Sequence, residues 1–257
     1  MAIVTFTSDF GNKDYYAAII KGAMLRAHAS LNIVDISHNV KTYDIVQGAF
    51  ILKNVYPSFP QGSIHLVSVH DFSKRKACFL ALRHEEHYFI GADNGLFSLM
   101  FEQTPKDIYE LEYDPTDDFV LQSVYARAVG HIANGLPFNE IGIPLDDIEQ
   151  RISLQPIINN QTIKGSIIHI DHYENLIVNI DRALFDRVGK GRPFALYFKR
   201  HDPLLCLSRH YTDVPVGERL CFFNSADYLE IAINMGKAAS MLGLKKEDGI
   251  QVIFSGD

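Results

Sequence analysis

Cysteine is scarce in this sequence. Cys78, Cys206 and Cys221 are scattered, odd in number and outside any C-x-x-C pair. That excludes a disulfide framework and a structural zinc site as organising devices, and it fits a reducing cytosol. Long apolar runs are absent as well: none approaches the ~18 residues that a membrane span needs. The start, MAIVTFTSDFG, has no basic region and no signal-length apolar stretch, and reads as a first strand. Positive charge is not in excess, because the formal net charge is −7. Neither nucleic acid nor an anionic membrane gains from such a surface, so neither is expected as a main partner. The G-x-G-x-x-G and G-x-x-x-x-G-K-[ST] loops that cradle phosphates are missing, which weighs against NAD and ATP. No H-E-x-x-H occurs among the eleven histidines. His84 and His87 flank Glu85-Glu86, but at a hairpin tip of the kind that is usually solvated, so no metal is expected there.

The 257 residues are 47% apolar and 21% charged, an ordinary globular balance. A chain of this length buries roughly 70–75% of its extended surface and needs no staples. Residues 2–7, 33–36 and 63–69 read as strands. Residues 15–29 and 43–55 carry helical periodicity, the second closed by Pro57. The order is β-α-β-α-β, the pattern of a parallel sheet with helical crossovers. Residues 77–83 and 87–91 read as a hairpin, 91–95 as a turn, 96–102 as the start of a helix, and 123–134 as a helix ending at Gly135. The texture then changes, with Pro137, Pro144, Pro156 and a polar Asn159-Asn160-Gln161. Beyond it lie strand-like runs at 166–170, 176–180, 193–199, 203–207, 219–223 and 250–254, with 228–242 the one helical stretch. The expected fold is an N-terminal α/β domain (1–150) with a mainly parallel sheet. A linker near 151–159 leads to a smaller, mostly β domain (160–257).

Several polar residues stand where chemistry is usual. Asp9 ends the first strand, and open α/β sheets bind ligands outside the carboxyl ends of their strands. An ionised carboxylate there can accept both hydrogen bonds of a ribose diol, though a helix cap or turn uses aspartate too. Asp93-Asn94-Gly95 has the form of a turn. Asp171, Asn175 and Asn179 recur every four residues beside a strand, suited either to a polar ligand or to Asx turns. His70, Asp71 and Arg75 follow the third strand. They could polarise water or bind an anion, or simply form a solvated loop.

Six segments occur together in a known order: TSDFGNKD (7–14), VDISH (34–38), GAFIL (48–52), GADNGL (91–96), IDHYENLIVNI (170–180) and NSADYLEIAIN (224–234). Spanning nearly the whole chain, they resemble the S-adenosylmethionine hydroxide adenosyltransferase family, whose relatives include fluorinases and chlorinases. The resemblance implies an N-terminal α/β domain with a C-terminal β-barrel-like domain, in a homotrimer whose ligand lies at the subunit interface. It implies displacement of methionine from the ribose C5′ by water, giving adenosine, with no metal or organic cofactor. It also implies roles. Asp9 would hold the ribose hydroxyls, Asp171 the methionine ammonium, Asn175 the adenine edge and Ser225 the methionine carboxylate. Asp93 and Asn94 lie in a motif near the site.

The sequence departs from the family at its water-activating Asp, Arg and His. Without gaps the Asp position falls on His70, its proline on Asp71, the Arg on Ala77 and the His on Val120. A slip of one residue brings Asp71 to the Asp position, with Arg75 reaching in from another offset. Two readings follow. One is an active hydrolase with a rebuilt trio of His70, Asp71 and Arg75. The other is a catalytically degenerate protein (a pseudoenzyme) that binds S-adenosylmethionine, adenosine or a related nucleoside. A changed nucleophile is a third.

Overall fold

A computed structural model describes residues 2–73, 76–199 and 201–256. The chain divides into two compact units, residues 1–152 and 153–257.

The first unit runs β1 (Ile3–Ser8), α1 (Tyr16–Ala27), β2 (Asn32–Ser37), α2 (Ile45–Val55), β3 (Ile64–Ser68), β4 (Phe79–His84), β5 (His87–Ala92), α3 (Leu96–Met100), β6 (Asp107–Leu111), α4 (Val120–Ala133) and β7 (Ile143–Pro144). The strands form one sheet in the order β2-β1-β3-β5-β4-β6-β7. The β2–β1, β1–β3 and β3–β5 pairs are parallel. The β5–β4, β4–β6 and β6–β7 pairs are antiparallel. The sheet is therefore mixed, not mainly parallel. The cause is local. Glu85 and Glu86 both take positive φ (47° and 62°), which makes the tight two-residue turn that reverses β4 into β5.

Alternation along each strand feeds two apolar layers. Leu66, Phe79, Ala81 and Ile90 face one side with α1 and α4. Val67, Leu80, Leu82 and Phe89 face the other with residues of α2 and α3. Helix α1 buries Ala17, Ile20, Ala23 and Met24, and α4 buries Leu121, Val124, Tyr125, Ala128 and Val129. Both are single stripes at helical spacing. Asp44 caps α2 by accepting from the Gln47 N–H.

One polar chain crosses this core. Thr5 Oγ1 lies 2.8 Å from His65 Nδ1, and His65 Nε2 lies 3.0 Å from His87 Nδ1. His87 is thus buried against His65 rather than solvated at the hairpin tip. Burial, then the neighbouring imidazole, push His65 down to about 3. A base depressed in the fold contributes stability above its unfolded value, near 6.5, which is lost as pH falls toward 3. In a ¹⁵N histidine titration His65 is expected to stay neutral at pH 5, where exposed imidazoles are charged. A charged His65 at that pH would contradict the burial argument.

The second unit runs β8 (Ile157–Asn159), β9 (Thr162–Ile170), β10 (Leu176–Asp181), α5 (Arg182–Gly189), β11 (Phe194–Tyr197), β12 (Arg219–Phe223), β13 (Tyr228–Ile233), α6 (Ala238–Leu242) and β14 (Gly249–Phe254). The sheet is antiparallel, ordered β11-β14-β9-β10-β13-β12, with β8 also on β9. Strand β9 pairs with β14 along its first half and with β10 along its second. Three expectations fail here. Residues 228–233 are strand, not helix. Strand β13 lies between β10 and β12 and buries both faces, Leu229, Ile231 and Ile233 on one and Glu230 and Ala232 on the other. A strand buried on both faces loses its alternation and mimics a helical run. Helix α5, begun by Asp181 accepting from Leu184 N–H, went unread. Residues 203–207 contribute only the isolated Leu204–Leu196 bridge.

Candidate functional site

In the first unit the candidate residues gather at the carboxyl ends of β1 and β3. The segment after β1 is braced by the one after β2. Ser8 Oγ lies 2.7 Å from His38 Nδ1, Gly11 N–H donates to the His38 carbonyl at 2.6 Å, and Val40 N–H to the Ser8 carbonyl at 3.3 Å. The SDFG and VDISH segments therefore hold each other. Asp9 sits half-buried in this frame, with Oδ2 accepting from the Tyr43 N–H at 2.9 Å. Among the described residues no hydrogen bond reaches its Oδ1.

The end of β3 is held from the neighbouring turn. Asn94 is buried, and its amide donates to the Val69 carbonyl at 2.8 Å and the His70 carbonyl at 3.1 Å. Its Oδ1 accepts from Leu96 N–H, starting α3. The clamp stabilises His70 in the left-handed region (φ 53°), strained for a non-glycine residue. That turn carries Asp71 back into the protein. Asp93 Oδ1 accepts from the Glu149 N–H at 2.7 Å.

Asp71 is the most perturbed carboxyl here. It is 7% exposed. Ser68 Oγ donates to its Oδ2 at 2.5 Å and the Tyr125 hydroxyl to its Oδ1 at 2.6 Å. Burial pushes its pKa up to about 7; the two hydroxyls pull it down, and the Asp9 carboxylate adds repulsion. Tyr125 is fully buried, and burial and the Asp71 charge raise its phenol far above the ordinary value, so it donates and does not ionise. Burial thus makes Asp71 a more basic carboxylate than an ordinary one.

His70 does not join Asp71. Its ring lies 5.0 Å from the Tyr43 ring, and no hydrogen bond links it to the Asp71 carboxyl among the described residues. Arg75 lies outside the described residues. Val120 opens α4, and the side chain that this helix sends to Asp71 is Tyr125, five residues on. Ser68 and Tyr125 were missed in the sequence. The available signal was that a tyrosine on a helix's buried stripe must satisfy its hydroxyl.

In the second unit Asp171 and Asn175 close one loop. Asp171 Oδ1 accepts from the Asn175 N–H at 2.7 Å, and Oδ2 from the Asn175 amide at 3.0 Å. The same amide donates to the Tyr211 hydroxyl at 3.1 Å, which donates to Glu230 at 2.9 Å. Ser225 is exposed after Asn224, in the turn between β12 and β13. Asn179 braces the fold instead, with its Oδ1 accepting from Ser166 N–H and its amide donating to Leu154. Among the described residues no three His, Cys, Asp or Glu side chains cluster as metal ligands. No helix among them is long and apolar enough to cross a membrane.

Two acidic side chains, Asp9 half-buried and Asp71 buried, thus stand just past the ends of adjacent strands of an α/β sheet. Comparison with known proteins gives the family of the chain. The chain belongs to the SAM hydroxide adenosyltransferase family: the family's N-terminal domain matches residues 4–142 and its C-terminal domain residues 165–251. It is 28% identical to an (R)-S-adenosyl-L-methionine hydrolase of Methanocaldococcus jannaschii, over 98% of this chain and 96% of that one. It is 26% identical to a fluorinase of an Actinoplanes species, over 95% and 94%. Among solved structures, an uncharacterized conserved protein from Thermotoga maritima aligns with a TM-score of 0.87 at 25% identity, covering 97% of this chain and 99% of that one.

Proposed function

We propose that this protein hydrolyses S-adenosylmethionine to adenosine and methionine, with Asp71 as the general base. The observation that carries the reading is the buried Asp71 carboxyl, held by Ser68 and Tyr125 and raised to about 7. The water oxygen attacks the ribose C5′, the C5′–S bond breaks, and methionine leaves with the electron pair as a neutral thioether. The proton shed by the water passes to Asp71. Asp9 holds the ribose hydroxyls through its uncommitted oxygen. Asp171 meets the methionine ammonium, Asn175 the adenine and Ser225 the methionine carboxylate. The sulfonium makes C5′ electrophilic already, so alignment and exclusion of bulk water supply the rest. His70 stands in this reading as a shaping residue beside Tyr43. The relatives named as (R)-S-adenosyl-L-methionine hydrolases support the reaction.

A homotrimer with the ligand at its subunit interface belongs to the same proposal. It would cover the exposed rings of Tyr15, Tyr43 and Phe72. Light scattering should then give about three times the 29.0 kDa chain mass. A cytosolic setting, suited to a chain with three scattered cysteines, completes the proposal.

The test is purified protein with S-adenosylmethionine, following adenosine by chromatography across pH. Adenosine should form catalytically, and kcat should rise through about pH 7 as Asp71 loses its proton, then level off. Tight binding without turnover would overturn the hydrolase reading.

A further inference from the structure

The Asp171–Asn175–Tyr211–Glu230 chain fixes more than a loop. Asn175 is 4% exposed, and its side-chain nitrogen has two hydrogens to give. One goes to Asp171 Oδ2 at 3.0 Å, an atom of an acceptor-only carboxylate. The other goes to the Tyr211 oxygen at 3.1 Å. The Tyr211 hydroxyl must accept there, because its own proton is committed to Glu230 Oε1 at 2.9 Å. Glu230 is itself buried, and its other oxygen accepts from the Asn224 amide at 3.1 Å. That amide cannot turn round, since Asn224 Oδ1 already accepts from the Ala226 and Tyr228 N–H groups. Every donor in the chain therefore points one way, from Asn175 toward the two carboxylates. Turning the Asn175 amide over would set its oxygen against the Asp171 carboxylate and the Tyr211 oxygen, both electron-rich.

Asn175 Oδ1 is the one amide atom left over. Among the described residues nothing donates to it. It is not sealed from the surface as Thr7 Oγ1 and His38 Nε2 are, so a ligand can donate to it in place of water.

We infer that Tyr211 and Glu230 are specificity-positioning residues, which hold Asn175 so that it offers only an acceptor and thereby selects a purine with an amino group at C6. This rests on the proposed nucleoside reading and deepens it. A 6-amino group donates to Oδ1. A 6-oxo group, as in hypoxanthine, meets it lone pair to lone pair and leaves both oxygens unsatisfied. A site built around one hydrogen-bond polarity rejects the wrong partner strongly.

Calorimetry with adenosine and inosine tests this, on the unmodified chain and on Tyr211→Phe. Adenosine should bind about a hundredfold or more tighter than inosine. Tyr211→Phe removes the hydroxyl that takes the second amide hydrogen, and should shrink that ratio about tenfold or more. It should raise KM for S-adenosylmethionine while leaving kcat nearly unchanged, a split that general loosening of the fold would not give. Glu230→Gln serves as a second variant and should shrink the ratio too. Equal binding of the two nucleosides, or a ratio unchanged in both variants, would overturn the inference alone. Failure of the unmodified chain to bind either nucleoside or S-adenosylmethionine would overturn the parent reading with it.

Discussion

Asp71→Asn is expected to cut turnover about a thousandfold while making the protein more stable above pH 7. The two effects share one cause. A positioned general base contributes on the order of 10²–10⁴ in rate, and an amide cannot take the water's proton. Stability moves the other way because the fold disfavours the Asp71 charge, raising the carboxyl from an ordinary 3.8 to about 7. An acid raised in the folded state contributes its stability below the unfolded value and loses it as pH rises through the folded one. Below about pH 4 both states are protonated and the charge costs nothing. Above about pH 7 the folded protein bears the full penalty. Each tenfold change in proton affinity corresponds to about 1.4 kcal/mol, so removing the penalty at Asp71 corresponds to about 2–4 kcal/mol. Asparagine nearly matches the shape, can still accept from Tyr125, and can donate to Ser68 Oγ. Thermal melts of both proteins at pH 8 and pH 4 check the stability claim: the variant should melt higher at pH 8, and the gap should close at pH 4. Adenosine release at an undiminished rate would remove Asp71 from the chemistry. A variant that melts lower at pH 8 would mean that the fold tolerates the charge after all.

The sequence announced part of this site and concealed the rest, for physical reasons. Asp9 was legible because a carboxylate at the end of a first strand stands where open sheets bind ligands. Asp71 was legible as a candidate but stood one residue out of register with its family. What decides its standing is three-dimensional. The left-handed turn at His70, held by Asn94 across 24 positions of sequence, swings the following residue inward. No count along the chain reveals a turn stabilised from so far away. Tyr125 was hidden because it belongs to an ordinary helical stripe, and its hydroxyl meets Asp71 across 54 positions. The fold shows the same division. The β4–β5 hairpin and the helices α1, α2 and α4 carry local periods and local stops, so they read directly. Strand β13 does not, since the side chains on both of its faces are buried, which erases the alternation that marks a strand.

Gly91→Ala is expected to cost about 3 kcal/mol of stability, although it adds a single methyl group. Gly91 follows Ile90, whose strand partner is Leu66. A Cβ built on it would stand 2.7 Å from the Val67 carbonyl oxygen and 2.8 Å from a Val67 methyl. The first obstacle is backbone, which cannot swing aside as a side-chain tip can. The end of β3 would have to part from β5, in a layer packed to crystal-like density. Strain there reaches the site, because β3 leads into Val69, His70 and Asp71, and the Asn94 clamp comes from the turn just after β5. Turnover should therefore fall along with stability. Gly22→Ala is the matched control. Gly22 lies inside α1 with nothing within 4 Å of its would-be Cβ. There the same methyl restricts the unfolded chain and suits the helix, for an expected gain of about 0.5–1 kcal/mol. Urea titrations of the two variants should shift the midpoint in opposite directions at unchanged m. If Gly91→Ala unfolded at the parent midpoint with full turnover, β3 and β5 would not be pressed together where the structure has them. The link from that contact to Asp71 would then fail as well.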